Sequence, residues 1–140
     1  MYQDLLLATD GSEGADQATE HAIELASQLD ATLHILSVSE DGPHSSDKRD
    51  QMRADPEDES AQAVDEAEQA VSRSGLESTT IVRHGVAQEE IVDVAETEPI
   101  DMIVMGTHGR TGLDHLIVGS VAEEVVRNAP VPVVTVRDRA

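Results

Sequence analysis

The sequence predicts an α/β fold, an open five-stranded parallel sheet with helices on both faces, Rossmann-like in architecture. Short strand-like segments recur at residues 5–9, 32–38, 79–83, 102–105 and 133–136. The first is continuously apolar up to its closing threonine, the pattern of a strand buried on both faces. Between them stand segments whose apolar residues repeat at helical spacing. Parallel neighbours need a crossover connection, and helices supplying it come to cover the sheet.

Leu5, Leu6, Leu7, Ala8 and Thr9 make the first strand, closed by the turn residues Asp10, Gly11 and Ser12. From Ser12 onward Ala15, Ala18, Ala22, Leu25, Ala26 and Leu29 keep the helical period, with Glu13 and Asp16 in the first turn where the dipole favours acid. Residues 32–38 form a second strand rich in β-branched and aliphatic side chains. Over residues 39–60 periodicity is lost while Gly42, Pro43, Pro56 and many charges accumulate, so a mobile, variable surface loop is expected there.

Ala61, Val64, Ala67, Ala70 and Val71 restore the helical period, and Gly75 follows the end of that second helix. Residues 79–83 are the third strand. Ile91, Val92, Val94 and Ala95 mark the apolar side of a third helix that Pro99 helps to end. A fourth strand at 102–105, a fourth helix at 119–128 and a fifth strand at 133–136 complete one domain over residues 1–140.

Composition removes several function classes. Twenty-nine acids against nine bases give a net charge of −20, and Tyr2 is the only aromatic residue. Neither a phosphate-backbone partner nor base stacking suits such a chain, so no nucleic acid partner is expected. The acidic composition and the single lysine, Lys48, suggest a halophilic source, because concentrated salt screens self-repulsion. There are no cysteines, which excludes thiolate chemistry and zinc-thiolate sites. Residues 1–4 lead into the first strand without a basic start and apolar stretch, and no apolar run approaches the ~20 residues of a spanning helix. A cytoplasmic protein without membrane contact is the expectation.

In open parallel sheets, ligands bind beyond the carboxyl ends of the strands where strand order reverses. After the fourth strand come Met105, Gly106, Thr107, His108, Gly109, Arg110, Thr111 and Gly112, and Gly119 with Ser120 opens the fourth helix. Glycines let backbone N–H groups approach a ligand, and a helix start favours phosphate. A glycine-rich turn with a helix cap and no ligand is the alternative. No G-x-x-x-x-G-K-[ST] stretch exists, and no G-x-G-x-x-G follows the first strand.

The spacing G-x2-G-x9-G-[ST] at Gly106, Gly109, Gly119 and Ser120 resembles the ATP-binding motif of universal stress proteins. The opening Leu7-Ala8-Thr9-Asp10-Gly11-Ser12 and the ending Ala129-Pro130-Val131-Pro132-Val133-Val134 are similar to theirs too. That resemblance implies Ala8, Thr9 and Asp10 against the nucleoside, with Asp10 meeting ribose or a metal-phosphate group, and Val38 meeting adenine through its backbone. It implies Gly106, His108, Gly109, Arg110, Gly119, Ser120 and Val121 around the phosphates, with Met105 behind them. The implied cofactor is ATP, AMP or another adenine nucleotide, with magnesium or manganese. The glycine after the third strand is followed here by Val86 and Ala87, where many relatives carry proline.

Several residues keep a second reading. Asp10 before Gly11 is also an ordinary turn residue. Arg110 suits bidentate phosphate contact, and His108 shares its loop, yet both could face solvent. His21, His34, His44, His84 and His115 lack partners at metal-ligand spacing and are read as ordinary surface or core residues. Asp65-Glu66 and Glu89-Glu90 are read as a solvated face.

The function expected is a stress-linked, ATP-binding module acting as a dimeric nucleotide-dependent switch, paired through the fifth strand. Asp10 is the sole obvious carboxylate near the loop, so any hydrolysis should be slow. An enzyme of the nucleotide alpha hydrolase-like group would require an acceptor pocket for which 140 residues leave little room. A ligand-free dimerisation module is the third reading.

Overall fold

The computed structural model of this chain describes residues 2–10, 13–39, 56–107 and 120–137, with the backbone alone at 13–14, 56–60 and 120. The elements run β1 (Asp4–Ala8), α1 (Glu13–Leu29), β2 (Thr32–Ser39), α2 (Pro56–Arg73), β3 (Ser78–His84), α3 (Ala87–Thr97), β4 (Met102–Gly106), α4 (Ser120–Asn128) and β5 (Val133–Val136). The strands form one five-stranded sheet in the order β3-β2-β1-β4-β5. Every neighbouring pair is parallel. This is the expected open α/β sheet.

Alternation along each strand divides the core into two apolar layers. Leu5, Leu7, Leu33, Ile35 and Val104 point to one face and meet Ala18, Ala22 and Ala26 of α1 with Val64, Ala67 and Val71 of α2. Leu6, Leu36, Ile103 and Met105 point to the other and meet Ile91, Val94 and Ala95 of α3 with Ala122 and Val125 of α4. Leu5, Leu6 and Leu7 are all 0% exposed, so adjacent residues of β1 anchor opposite layers. Each such burial contributes about 1.5–3 kcal/mol. Alanines along α1 let that helix seat closely on the sheet where a bulkier stripe would hold it off.

Helix ends follow local chemistry. Asp30 takes φ 57 just after α1, and the Ala31 amide donates to the Ala26 carbonyl at 2.9 Å, which closes the helix with a left-handed residue. Gly75, at φ 77, plays the equivalent part after α2, as its position predicts.

The expected loop at 39–60 needs correction at both margins. Ser39 belongs to β2, and α2 begins at Pro56 rather than after Ser60. Proline tolerates the first helical position because the N–H it lacks would have no partner there. That turn carries no apolar residue, so periodicity could not mark it. Residues 40–55 lie outside the described residues.

Likewise α3 starts at Ala87, a full turn before Ile91. Its N-cap, Val86, makes no side-chain capping bond, and the Glu89 and Glu90 amides donate to the Val86 carbonyl instead. The described helices include none long and apolar enough to cross a membrane.

Candidate functional site

Strand order reverses between β1 and β4. The chain runs outward from β1 through β2 to β3, then returns to place β4 on the other side of β1 and β5 beyond it. A crevice at the carboxyl ends of β1 and β4 is the position where parallel sheets accept ligands. The register Leu5↔Met102, Leu6↔Ile103, Leu7↔Val104 brings the two strand ends level. Ala8 and Met105 directly follow that paired stretch.

Backbone bonds carry each strand past its last ladder residue. Thr9 N donates to Leu36 O at 2.9 Å, Thr107 N to Val136 O at 3.0 Å, and Gly85 N to Ser39 O at 3.0 Å. Thr9 and Thr107 are each 8% exposed, so the segments entering the β1 and β4 loops are held in the body of the protein. Asp10 follows, half-buried, at the mouth of the crevice.

The site residues expected from sequence divide into three groups. Ala8, Val38 and Val121 are partly buried and pack with buried Met105 against the same apolar cluster, the one beneath α3 and α4. Residues separated by 113 positions, Ala8 to Val121, thus share one floor because successive strand ends and the start of α4 converge there. Thr9 and Asp10 follow Ala8, and Gly106 follows Met105, in the chain. Ser120 is the first residue of α4, whose opening N–H groups lack helical partners and carry partial positive charge. Glu123 in that first turn sits on the solvent side and pairs with Arg127 at 3.3 Å. His108, Gly109, Arg110 and Gly119 lie outside the described residues.

Sequence reading passed over Ser39. It directly follows Val38, is 1% exposed, and its Oγ is a buried side-chain polar atom with no hydrogen-bond partner among the described residues. Such an atom costs about 1–3 kcal/mol when left unmatched. Alternation on β2 could have marked it as inward, next to the expected adenine contact.

Titratable groups away from the crevice are tied into the scaffold. Hydrogen bonds from the Gln3 amide at 2.9 Å and the Asp4 amide at 3.0 Å hold the Asp101 carboxyl below the ordinary carboxylate range. Asp93 at 3.1 Å and Glu90 at 3.2 Å raise the already high pKa of Arg83. Among the described residues no three His, Asp or Glu side chains stand together to hold a metal ion.

Known proteins give this geometry a context. The sequence profile of the universal stress protein family matches residues 1–137. A universal stress protein of Methanocaldococcus jannaschii, MJ0531, is 33% identical over 98% of this chain and 83% of its own length. The structure of the universal stress protein UspA from Lactobacillus plantarum superposes with a TM-score of 0.80 at 28% identity, covering 97% of this chain and 98% of that one. A universal stress protein from Archaeoglobus fulgidus, solved in complex with dAMP, has a TM-score of 0.75 and covers 97% of this chain and 98% of its own. At 21% identity that last likeness is one of fold. The profile covers nearly every residue and the strand order agrees with it: the chain belongs to the universal stress protein family.

Proposed function

We propose that this protein binds an adenine nucleotide, ATP in the first instance, in the crevice beyond β1, β2 and β4, and that the nucleotide sets the state of a homodimer paired through β5. The observation that carries the reading is the shared apolar floor of Ala8, Val38, Met105 and Val121 at the switch point. A flat, largely apolar base suits such a floor, while the backbone at the end of β2 offers polar edges. The dAMP held by the fold relative from Archaeoglobus fulgidus is of the same ligand class.

Phosphates would extend toward the start of α4, where Ser120 and Val121 present backbone N–H groups, and toward the loop bearing His108, Gly109, Arg110 and Gly119. With no preformed cluster of metal ligands among the described residues, magnesium or manganese would rest on phosphate oxygens with Asp10 as the nearby carboxylate. The chain's own part is to bind, orient and shield the nucleotide.

Mass spectrometry of small molecules released from the purified protein tests the reading. An adenine nucleotide near one per protomer is expected. Absence of any nucleotide, together with no heat on titrating ATP or dAMP, would leave the dimerisation module standing instead.

A further inference from the structure

At the opposite, amino end of the strands, three side chains on the α3 and α4 face form a hydrogen-bonded series. Asp4 opens β1, His34 is the third residue of β2, and Thr79 is the second of β3. The register pairs His34 with Thr79, and sets Asp4 beside Thr32, two residues before His34 on the same face of the sheet. His34 Nε2 lies 2.8 Å from Asp4 Oδ1, and His34 Nδ1 lies 2.8 Å from Thr79 Oγ1.

The proton positions follow from the partners. An ionised carboxylate only accepts, so Nε2 carries the ring proton and donates to Asp4. In the neutral ring Nδ1 then holds a lone pair, and the Thr79 hydroxyl donates to it. Hydroxyl, imidazole and carboxylate in that order are the connectivity by which a hydroxyl becomes a nucleophile, whatever fold carries it. Access agrees with these parts. The His34 and Asp4 side chains are 16% and 28% exposed, whereas Thr79 is exposed to solvent.

Backbone geometry adds a second, independent feature. Leu33 N donates to Glu77 O and Gly85 N donates to Ser39 O, so odd-numbered residues along β3 turn their backbone groups toward β2. Even-numbered ones therefore turn outward, and β3 is the edge of the sheet. The Thr80 N–H, directly after Thr79, faces that open edge. A backbone N–H following the nucleophile is a recurrent donor to the oxyanion of acyl transfer. Asp101 completes the support, since its Oδ2 fixes the backbone of Gln3 and Asp4 from which the Asp4 carboxylate projects.

We propose that Thr79 is a nucleophilic site for small, uncharged activated acyl esters, with His34 as its base and Asp4 as a positioning residue. Thr79 Oγ bonds to the acyl carbon as its proton passes to His34 Nδ1. The resulting oxyanion meets the Thr80 N–H. On collapse, the bond from the acyl carbon to the departing oxygen breaks, and His34 returns the proton to that oxygen. The products are acyl-Thr79 and the free alcohol, with no oxidant or second reactant required. Asp4, Asp101 and Glu77 make this end of the sheet acidic and disfavour anionic esters. The site lies at the other end of the strands from Ala8 and Val38, so it stands apart from the nucleotide reading.

The test treats the full chain with p-nitrophenyl acetate near neutral pH, following p-nitrophenolate release and mapping acetyl groups by peptide mass. One acetyl on Thr79 is expected, formed at least tenfold faster than in His34→Gln. The near-isosteric Thr79→Val should lose it while remaining folded, and Thr79→Ser should retain it. Asp4→Asn should slow it at least tenfold and Asp4→Glu should recover part of the rate, with equal melting midpoints for the two. Acetyl groups confined to the N-terminal amine, Lys48 or Tyr2, or Thr79 acetylation at the same rate in folded His34→Gln, would overturn the proposal.

Discussion

The Thr9 amide donates to the Leu36 carbonyl at 2.9 Å, which extends the β1–β2 ladder one residue beyond the last residue of β1. Asp10 is thereby delivered to the mouth of the crevice on a fixed backbone. If its carboxylate meets ribose or a metal-phosphate group, Asp10→Ala weakens ATP binding, and the loss is larger with magnesium present. Calorimetry with and without magnesium measures both. Equal wild-type affinity in the two buffers would remove the metal role.

Gly85 holds φ +142, and a Cβ added there would come within 2.8 Å of Glu90 Oε2. Both facts burden Gly85→Ala, but the side-chain clash can relax whereas the backbone angle cannot. The expected cost is about 1–3 kcal/mol of stability. Adding Glu90→Ala should recover little of it. Urea melts showing full recovery in the double variant would assign the cost to the clash alone.

Asp101 ties β4's entry to the start of β1 through two backbone amides. Its carboxyl is held below the ordinary range mainly by the Gln3 amide and then by that of Asp4. A lowered folded-state pKa means stabilisation that is present above the unfolded-state value, about 3.9, and lost as pH falls through the lower folded one. Wild type should therefore exceed Asp101→Asn in melting midpoint at pH 6, and the gap should close as the carboxyl is protonated in strong acid. A gap unchanged across that window would contradict the assignment.

How much of this is legible without coordinates depends on what each residue answers to. Val133, Val134, Thr135 and Val136 form a strand at the bounds their run predicts, because four β-branched side chains in succession favour extended backbone even where each is only partly buried. The alanine period of α1 works the same way. The first turn of α2 escapes notice because residues 56–60 include no aliphatic side chain, and that of α3 because Glu89 and Glu90 answer to the helix dipole rather than the core. Asp10 and Gly106 are readable as strand ends, yet the shared floor of Ala8, Val38, Met105 and Val121 depends on strand order. The partners of His34 are 30 residues before it and 45 after it, joined only by register.

Register also redirects the test of the dimer. Ile103 N bonds Pro132 O and Thr107 N bonds Val136 O, so Val134 turns its backbone inward to β4 while Val133 and Thr135 turn outward. Proline at Val134 would remove a donor to β4 and break the sheet itself. Thr135→Pro removes an outward donor, a position where an edge strand tolerates proline. If two β5 edges pair about a twofold axis, Thr135→Pro is a folded monomer at tens of micromolar, where wild type is a dimer by light scattering in high salt. A Thr135→Pro dimer as tight as wild type, or a monomeric wild type, would exclude this interface.

The central claim is that the crevice beyond β1, β2 and β4 holds an adenine nucleotide against the floor that includes Ala8. Isothermal titration of ATP into wild type, Gly109→Val and Ala8→Leu tests it directly, because one variant crowds the expected phosphate path and the other the expected base. The account predicts saturable binding near one ATP per protomer in wild type, and affinity at least tenfold lower in each folded variant, about 1.4 kcal/mol. Undiminished affinity in both variants, or no binding by the wild type, would contradict it.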